Sequence, residues 1–150
     1  MPLLERLRDF LQAHQAGYTH SVHQPALTAR EVAKTVVVLS DIGYAMLVVP
    51  ANRPVDFQEV RVELGFEQLR LATEYELGKL FPDCELGAMP PVGALYRLPV
   101  YLDAGMAEER LIAFHAGSHC DVIHMLTAEY RRVVQPVIVS LARADAAHRR

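Results

Sequence analysis

Apolar residues recur along this chain with two different periods, and the switches between them mark out its elements. Leu3, Leu4, Leu7, Phe10 and Leu11 fall at helical spacing, which predicts an amphipathic helix over about residues 2–15, ending near Gly17. "YTHSVH" follows as a short strand. "KTVVVL" and "YAMLVVP" are nearly continuous β-branched and aliphatic runs, joined by "SDIG", a hairpin signature with glycine at the turn. Strands apolar on both faces belong in the middle of a covered sheet. "VDFQEVRVELG" predicts a helix capped by Asp56 and closed by Gly65. "LRLA" reads as a brief strand, and "TEYELGKLF" as a helix opened by Thr73 and Glu76 in capping-box spacing. After a proline-rich loop come the strands "LYRLPVYLD", "RLIAFHAG" and "DVIHML". The helix "TAEYRRVVQ" follows with Thr127 at its cap, and "PVIVSLAR" closes the series as a strand or edge segment.

Many strands with short helices between them predict one α+β domain over residues 1–150, built on a single mixed, mostly antiparallel, twisted sheet flanked by helices. Its core runs over about 18–141, and the tail over about 144–150, "ADAAHRR", is expected to fray. One stretch conflicts with itself. "TARE", Thr28 to Glu31, is a capping box, yet only Val32 and Ala33 remain before the valine-rich strand opens at Lys34. A helix of barely one turn gains too few hydrogen bonds to offset its nucleation.

Composition narrows the class. The chain has 150 residues, enough for one domain with a real core, and 51% of them are apolar with no repeat or low-complexity tract. No apolar run approaches the roughly 20 residues of a membrane span, and the charged N-terminus is unlike a signal peptide. Two cysteines, Cys84 and Cys120, are fewer than a disulfide-stapled secreted domain carries, so a reducing cytoplasm is expected. The net charge of −3 argues against broad groove binding of DNA or RNA. A nucleic-acid partner is then gripped at one end or presented by another protein.

Three segments could carry chemistry. Lys34 opens "AKTVVVL", whereas Lys79, the only other lysine, sits on a polar helix face. An ammonium at the mouth of a buried strand either snorkels to the surface or points into a cleft toward an anion. In "CELGAMPPVGALY", Pro90 and Pro91 stand between Gly87 and Gly93. Each proline fixes φ, lacks an N–H and forces its predecessor to be extended, leaving a stiff edge whose carbonyls meet no local donors. The glycines let the backbone enter and leave at unusual angles and admit a ligand closely. In "FHAGSHCD", Gly117, Ser118 and His119 turn the chain, and consecutive amides around a glycine can form an anion-binding nest. His119 could hydrogen-bond a substrate or shuttle a proton. Taken singly, each has a plain structural reading: a snorkelling lysine, a rigid crossover loop, a surface turn. His20, His23, His119, Asp121 and His124 could suggest a metal, but the spacing matches no metal motif, and none is expected. Cys120 beside His119 is a poor nucleophile pair, since catalytic Cys–His partners meet in space rather than in sequence.

Taken together, "AKTVVV", "CELGAMPPVG" and "FHAGSHCDVIHM", in this order, resemble the YbaK and prolyl-tRNA-synthetase-associated editing-domain family, from about Tyr18 to Leu141. The resemblance implies a deacylase that acts in trans without a cofactor or metal. It would hydrolyse the ester of mischarged tRNA, an alanyl or seryl ester on a proline tRNA being the expected form. The partners it implies are the tRNA 3′ acceptor end and prolyl-tRNA synthetase or another synthetase, with no membrane and no DNA. It also implies that Lys34, Gly117 and His119 serve catalysis, and that Thr35, Gly87, Met89, Pro90, Pro91 and Ser118 contact substrate. Lys34 would hold the phosphate or sugar of the terminal adenosine, and amides near Gly117 the ester carbonyl. Carbonyls from Gly87 to Pro90 would orient the amino group or the water, while the substrate's own 2′-hydroxyl assists. The alternative from another class is a non-catalytic module that binds a nucleotide or aminoacyl nucleotide in the same cleft; a metal hydrolase is a third. One departure stands out. Family members usually carry several residues between the helix at Thr28 and the Ala-Lys-Thr strand, and here "TAREVA" runs straight into "KTVVV". Either that loop has been shed or residues are omitted; omission predicts a backbone break near Val32 to Lys34, wider than the ~3.8 Å between Cα atoms of a trans peptide.

Overall fold

The central hairpin organises the molecule. Strands β2 (Ala33–Ser40) and β3 (Gly43–Pro50) pair antiparallel through eight residues each, from Ala33 opposite Pro50 to Ser40 opposite Gly43. Gly43, at φ +112°, lets the chain reverse in two residues. The computed structural model describes residues 3–22 and 32–142. The capping box at Thr28–Glu31 and the tail from residue 144 lie outside the described residues.

The remaining elements are α1 (Leu3–Ala13), β1 (Thr19–Ser21), α2 (Phe57–Leu64), β4 (Leu69–Leu71), α3 (Glu74–Leu80), β5 (Val100–Asp103), α4 (Ala104–Ala107), β6 (Leu111–His115), β7 (Val122–Leu126), α5 (Thr127–Val134) and β8 (Val137–Val139). The α+β class holds, but the strands form two sheets, ordered β4-β2-β3-β5-β8 and β1-β7-β6, in place of the one expected. β5 pairs parallel with both β3 and β8, and the other ladders are antiparallel. Between the sheets lies the main core. Ala33, Val37, Met46, Val48 and Leu102 come from the larger sheet, and Ile112, Phe114, Ile123 and Met125 from the smaller. Leu7 and Leu11 of α1 and Tyr130 of α5 close it at the sides. A second cluster, with Val38, Leu47, Val49, Val60 and Leu141, covers the other face of the hairpin. Both faces of β2 and β3 are therefore covered, which is why their sequences are apolar without alternation.

Several local expectations change. The strand expected over "LYRLPVYLD" contracts to β5, because Gly93–Leu95 forms a 3₁₀ turn first. Thr127 is the first residue of α5, not its cap; the cap position is Leu126, and the Thr127 side chain turns inward at 2% exposure. Asp56 and the Thr73–Glu76 capping box open their helices and Gly65 closes α2, as expected. Val32 bridges Ala113, and β2 begins at the next residue, Ala33.

Candidate active site

The Gly-Ser-His turn is built from its own side chains. Ser118 Oγ accepts the N–H groups of Cys120 (3.0 Å) and Asp121 (3.2 Å) and donates to Asp121 Oδ2 (3.0 Å). Asp121 Oδ1 in turn accepts from His20 Nε2 of β1 at 2.8 Å. The Ser118 hydroxyl is thus spent on holding the turn. Its amide and that of His119 have no hydrogen-bond partner among the described residues. The Gly117 amide is different: it donates to Ala88 O at 2.8 Å, so it is not a free donor for a ligand. Gly117 sits at φ +93°, a region that other residues rarely occupy.

That bond is one of three that fasten the turn to the proline loop. Glu85 N–H donates to Gly117 O (2.7 Å), and His119 Nε2 donates to Leu86 O (2.8 Å). Gly87, at φ +84°, lies against His119, where an added Cβ would meet Cε1 at 3.6 Å. The loop differs from expectation in how its carbonyls are used. Those of Ala88, Pro90 and Pro91 accept from Gly117, Val92 (2.8 Å) and the Tyr130 hydroxyl (2.6 Å) respectively. Among the described residues, the Gly87 and Met89 carbonyls remain unengaged. Pro90 and Pro91 are buried, so the pair braces the loop against the core. Gly93 is needed for a different reason: a Cβ there would come within 2.0 Å of Leu98 O. Arg6 of α1 secures both ends, bonding Asp83 Oδ2 and Leu95 O at 2.9 Å each.

Lys34 and Thr35 open β2 on opposite faces. Thr35 is buried at 9% exposure on the side of Ala33 and Val37, facing the main core that Met89 and Val92 join. Lys34, opposite Val49, takes the other face and is partly buried, with no hydrogen bond or ion pair among the described residues. It therefore does not meet the proline pair across the core. An isolated parallel bridge joins Val32, just before β2, to Ala113 of β6, two residues before His115. The His115 and His119 rings stand edge to face with centroids 5.3 Å apart. His115, His119 and Gly87 thus follow one another from the end of β6 to the proline loop. Burial first, then the neighbouring His119, lowers the pKa of His115 below the usual imidazole range. Sequence reasoning passed over His115; alternation from the buried Phe114 places it on the outer face of β6, and that signal was available.

Cys120 is exposed and its thiol makes no bond to His119 among the described residues, while burial pushes the Cys84 thiol up. No three His, Cys, Asp or Glu side chains among the described residues stand together as a metal site would require. No described helix is long and apolar enough to cross a membrane.

The family model for the aminoacyl-tRNA editing domain matches residues 14–133, which includes Lys34, the proline loop and the whole Gly-Ser-His turn. The chain belongs to the aminoacyl-tRNA editing domain family. Solved structures carry the same fold. One, a candidate trans-editing enzyme for prolyl-tRNA synthetase, superposes with a TM-score of 0.77 at 20% identity, over 96% of this chain and 99% of its own. Another is a candidate signal transduction protein from Marinobacter aquaeolei VT8, with a TM-score of 0.83 at 18% identity. That match takes in 99% of this editing domain and only 32% of the longer chain, so the fold also occurs within larger proteins. No curated protein matches the sequence significantly.

Proposed function

We propose that this editing domain is an aminoacyl-tRNA deacylase acting in trans, in the cytoplasm, on the 3′ end of mischarged tRNA, without a cofactor or metal. The observation that supports it most is the clasp between the proline loop and the Gly-Ser-His turn, with the Ser118 and His119 amides unpaired among the described residues and beside an exposed imidazole. An aminoacyl ester is already activated. Its hydrolysis asks for a positioned water and for donors aimed at the oxygen that becomes negative. The two amides suit that oxygen, with Gly117 setting their direction through its left-handed backbone. The carbonyls of Gly87 and Met89, unengaged among the described residues, suit the substrate's ammonium group. Lys34 supplies the positive charge for the terminal adenosine's phosphate, and the substrate's 2′-hydroxyl assists the water. Thr35, Pro90, Pro91 and the Ser118 side chain then act indirectly, holding β2, the loop and the turn.

Selectivity would rest on pocket size, since one methylene changes affinity by only about 1–3 kcal/mol. A pocket of about 160 Å³ lined by Leu77, Phe81, Cys84, Leu86 and Met89 lies beside the loop and suits a small side chain such as alanine or serine. A proline tRNA is the first tRNA to test, given the structural likeness to the trans-editing protein, with prolyl-tRNA synthetase as a candidate partner.

The test is release of free amino acid from a panel of mischarged tRNAs, alanyl and seryl esters on proline tRNA first. Deacylation of at least one, and its loss in Lys34→Ala with the circular dichroism spectrum unchanged, is the expected result. Binding of the panel without turnover would favour the non-catalytic nucleotide-binding module.

A further inference from the structure

Helix α3 carries a glycine that the fold does not require. Gly78 stands inside a helix of seven residues, where glycine costs stability relative to alanine. Its backbone is not left-handed, and an added Cβ would meet nothing within 4 Å. Neither a turn nor a close packing neighbour accounts for it. Gly78 instead lines the pocket of about 160 Å³ beside the proline loop, with Leu77, Phe81 and Leu86. At that point the rim of the pocket is bare helical backbone.

Tyr75 stands three residues before Gly78, which puts the two on one side of α3. Tyr75 is 71% exposed, and its hydroxyl has no hydrogen bond among the described residues. The hydroxyls of Tyr44, Tyr96 and Tyr130 are all engaged. The Lys79 ammonium lies 4.9 Å from the centroid of the Tyr75 ring and has no ion pair among the described residues. The ring therefore holds nothing else in the fold. It stands one helical turn from the rim of a pocket whose Leu86 carbonyl fastens His119.

We propose that Tyr75 and Gly78 form a seat for an unpaired nucleobase of the tRNA 3′ single strand, the base stacking on the ring with its edge over the bare backbone. The proposal rests on the reading that a tRNA 3′ end is the ligand. Every base has a π-face, so an exposed ring with no hydrogen bond to direct it takes bases of any identity. Charge disfavours a phosphate in the same place: Glu74 precedes Tyr75, and Glu85 lines the pocket. A neutral base meets no such repulsion. Lys79 leaves one positive charge beside the seat, on the side where the strand's backbone would pass. Three residues of helix span about 4.5 Å along the axis. That compares with roughly 3.4 Å between successive phosphates along one strand of a duplex, so the ring and the pocket suit adjacent units of one strand.

The first test needs no turnover. The probe is a short unacylated RNA ending in CCA, set against an oligomer of equal length with abasic ribose at every position. On the full chain, the CCA RNA should shift the Tyr75 ring signals in proton NMR and the abasic oligomer should not. Shifts from both, or from neither, overturn the seat. Tyr75→Ala should weaken the RNA by about tenfold, and Tyr75→Phe should stay within about twofold of wild type, since the stack needs the ring and not the hydroxyl. Gly78→Ala should leave the thermal midpoint unchanged or raised, yet weaken the RNA by about fivefold. Unchanged affinity in Tyr75→Ala overturns the proposal, and unchanged affinity in Gly78→Ala removes the glycine from it. With a mischarged tRNA that the wild type hydrolyses, Tyr75→Ala should raise KM and leave kcat within about twofold. An unchanged KM there overturns the seat and leaves the deacylase reading intact. Stacking on Tyr75 without hydrolysis of any tRNA supports the seat and removes the deacylase.

Discussion

Asp103 ends β5 with a carboxylate only 4% exposed, and four backbone amides converge on it. Oδ2 accepts from Gly105 and Met106, capping α4, and Oδ1 accepts from Leu141 and Ala142 at 3.0 Å each. One side chain therefore starts a helix and ties down the C-terminal segment, whose Leu141 fills the second core cluster. Asp103→Ala would strand these donors with little room for water. We expect a loss of about 2–4 kcal/mol in urea unfolding, since each buried unsatisfied group costs about 1–3 kcal/mol. Only the cap is written near the letters "YLDAG"; the other two partners, Leu141 and Ala142, lie 38 and 39 residues away and leave no local trace. Lys34 differs: a lone charge opening an apolar strand was legible as unusual. Its face was not, because alternation says that Lys34 and Thr35 oppose each other without saying which meets the core.

Elements were most legible where the bonds that define them are local. The hairpin, the Asp56 cap and the Thr73–Glu76 box are written within a few residues, and each forms as read. α4 was not legible: four residues are too few to show a period, and its cap also serves other partners. Thr127 misled because threonine is a good cap in isolation. Here its N–H continues a ladder to Arg110 O at 2.9 Å, so the helix begins one residue earlier in register. α3 also gains non-local partners. Glu76 accepts from Thr73 N, from both guanidinium nitrogens of Arg70 and from the Tyr44 hydroxyl, and these bonds, the Arg70 one foremost, hold its carboxyl far below the ordinary 4.5. A folded-state value below the unfolded one stabilises above pH about 4.5 and loses that contribution as pH falls. Glu76→Gln should therefore lower the thermal midpoint at pH 7, and the gap to wild type should narrow on moving to pH 3. A gap that stays constant would mean that the charge of Glu76 contributes nothing.

At the scale of the molecule, the α+β class and the presence of the strands were legible, and their division into two sheets was not. Hydrophobic pattern reports that a face is covered; it does not report what covers it. Only the long-range pairings decide, such as β5 between β3 and β8. The three segments stand out as a set in the sequence through their resemblance to editing domains. The bonds that join two of them were not, because a carbonyl looks the same in every sequence. The net charge of −3 bears on the partner as well. Under the proposed function, an acidic protein gripping only an acceptor end contacts few phosphates. The logarithm of tRNA affinity should then fall with the logarithm of salt with a slope near −2, at about 0.7 per phosphate of a single strand. A slope steeper than about −5, measured by filter binding, would mean that the tRNA body is held too.

The clasp between the proline loop and the histidine turn has a consequence for anyone remaking this molecule. Two stretches some thirty residues apart share their amides and carbonyls, so neither keeps its shape when the other is foreign. Chimeras that import one stretch from a distant relative would inherit a mismatched hinge, and only those that import both as a matched cassette keep a working register.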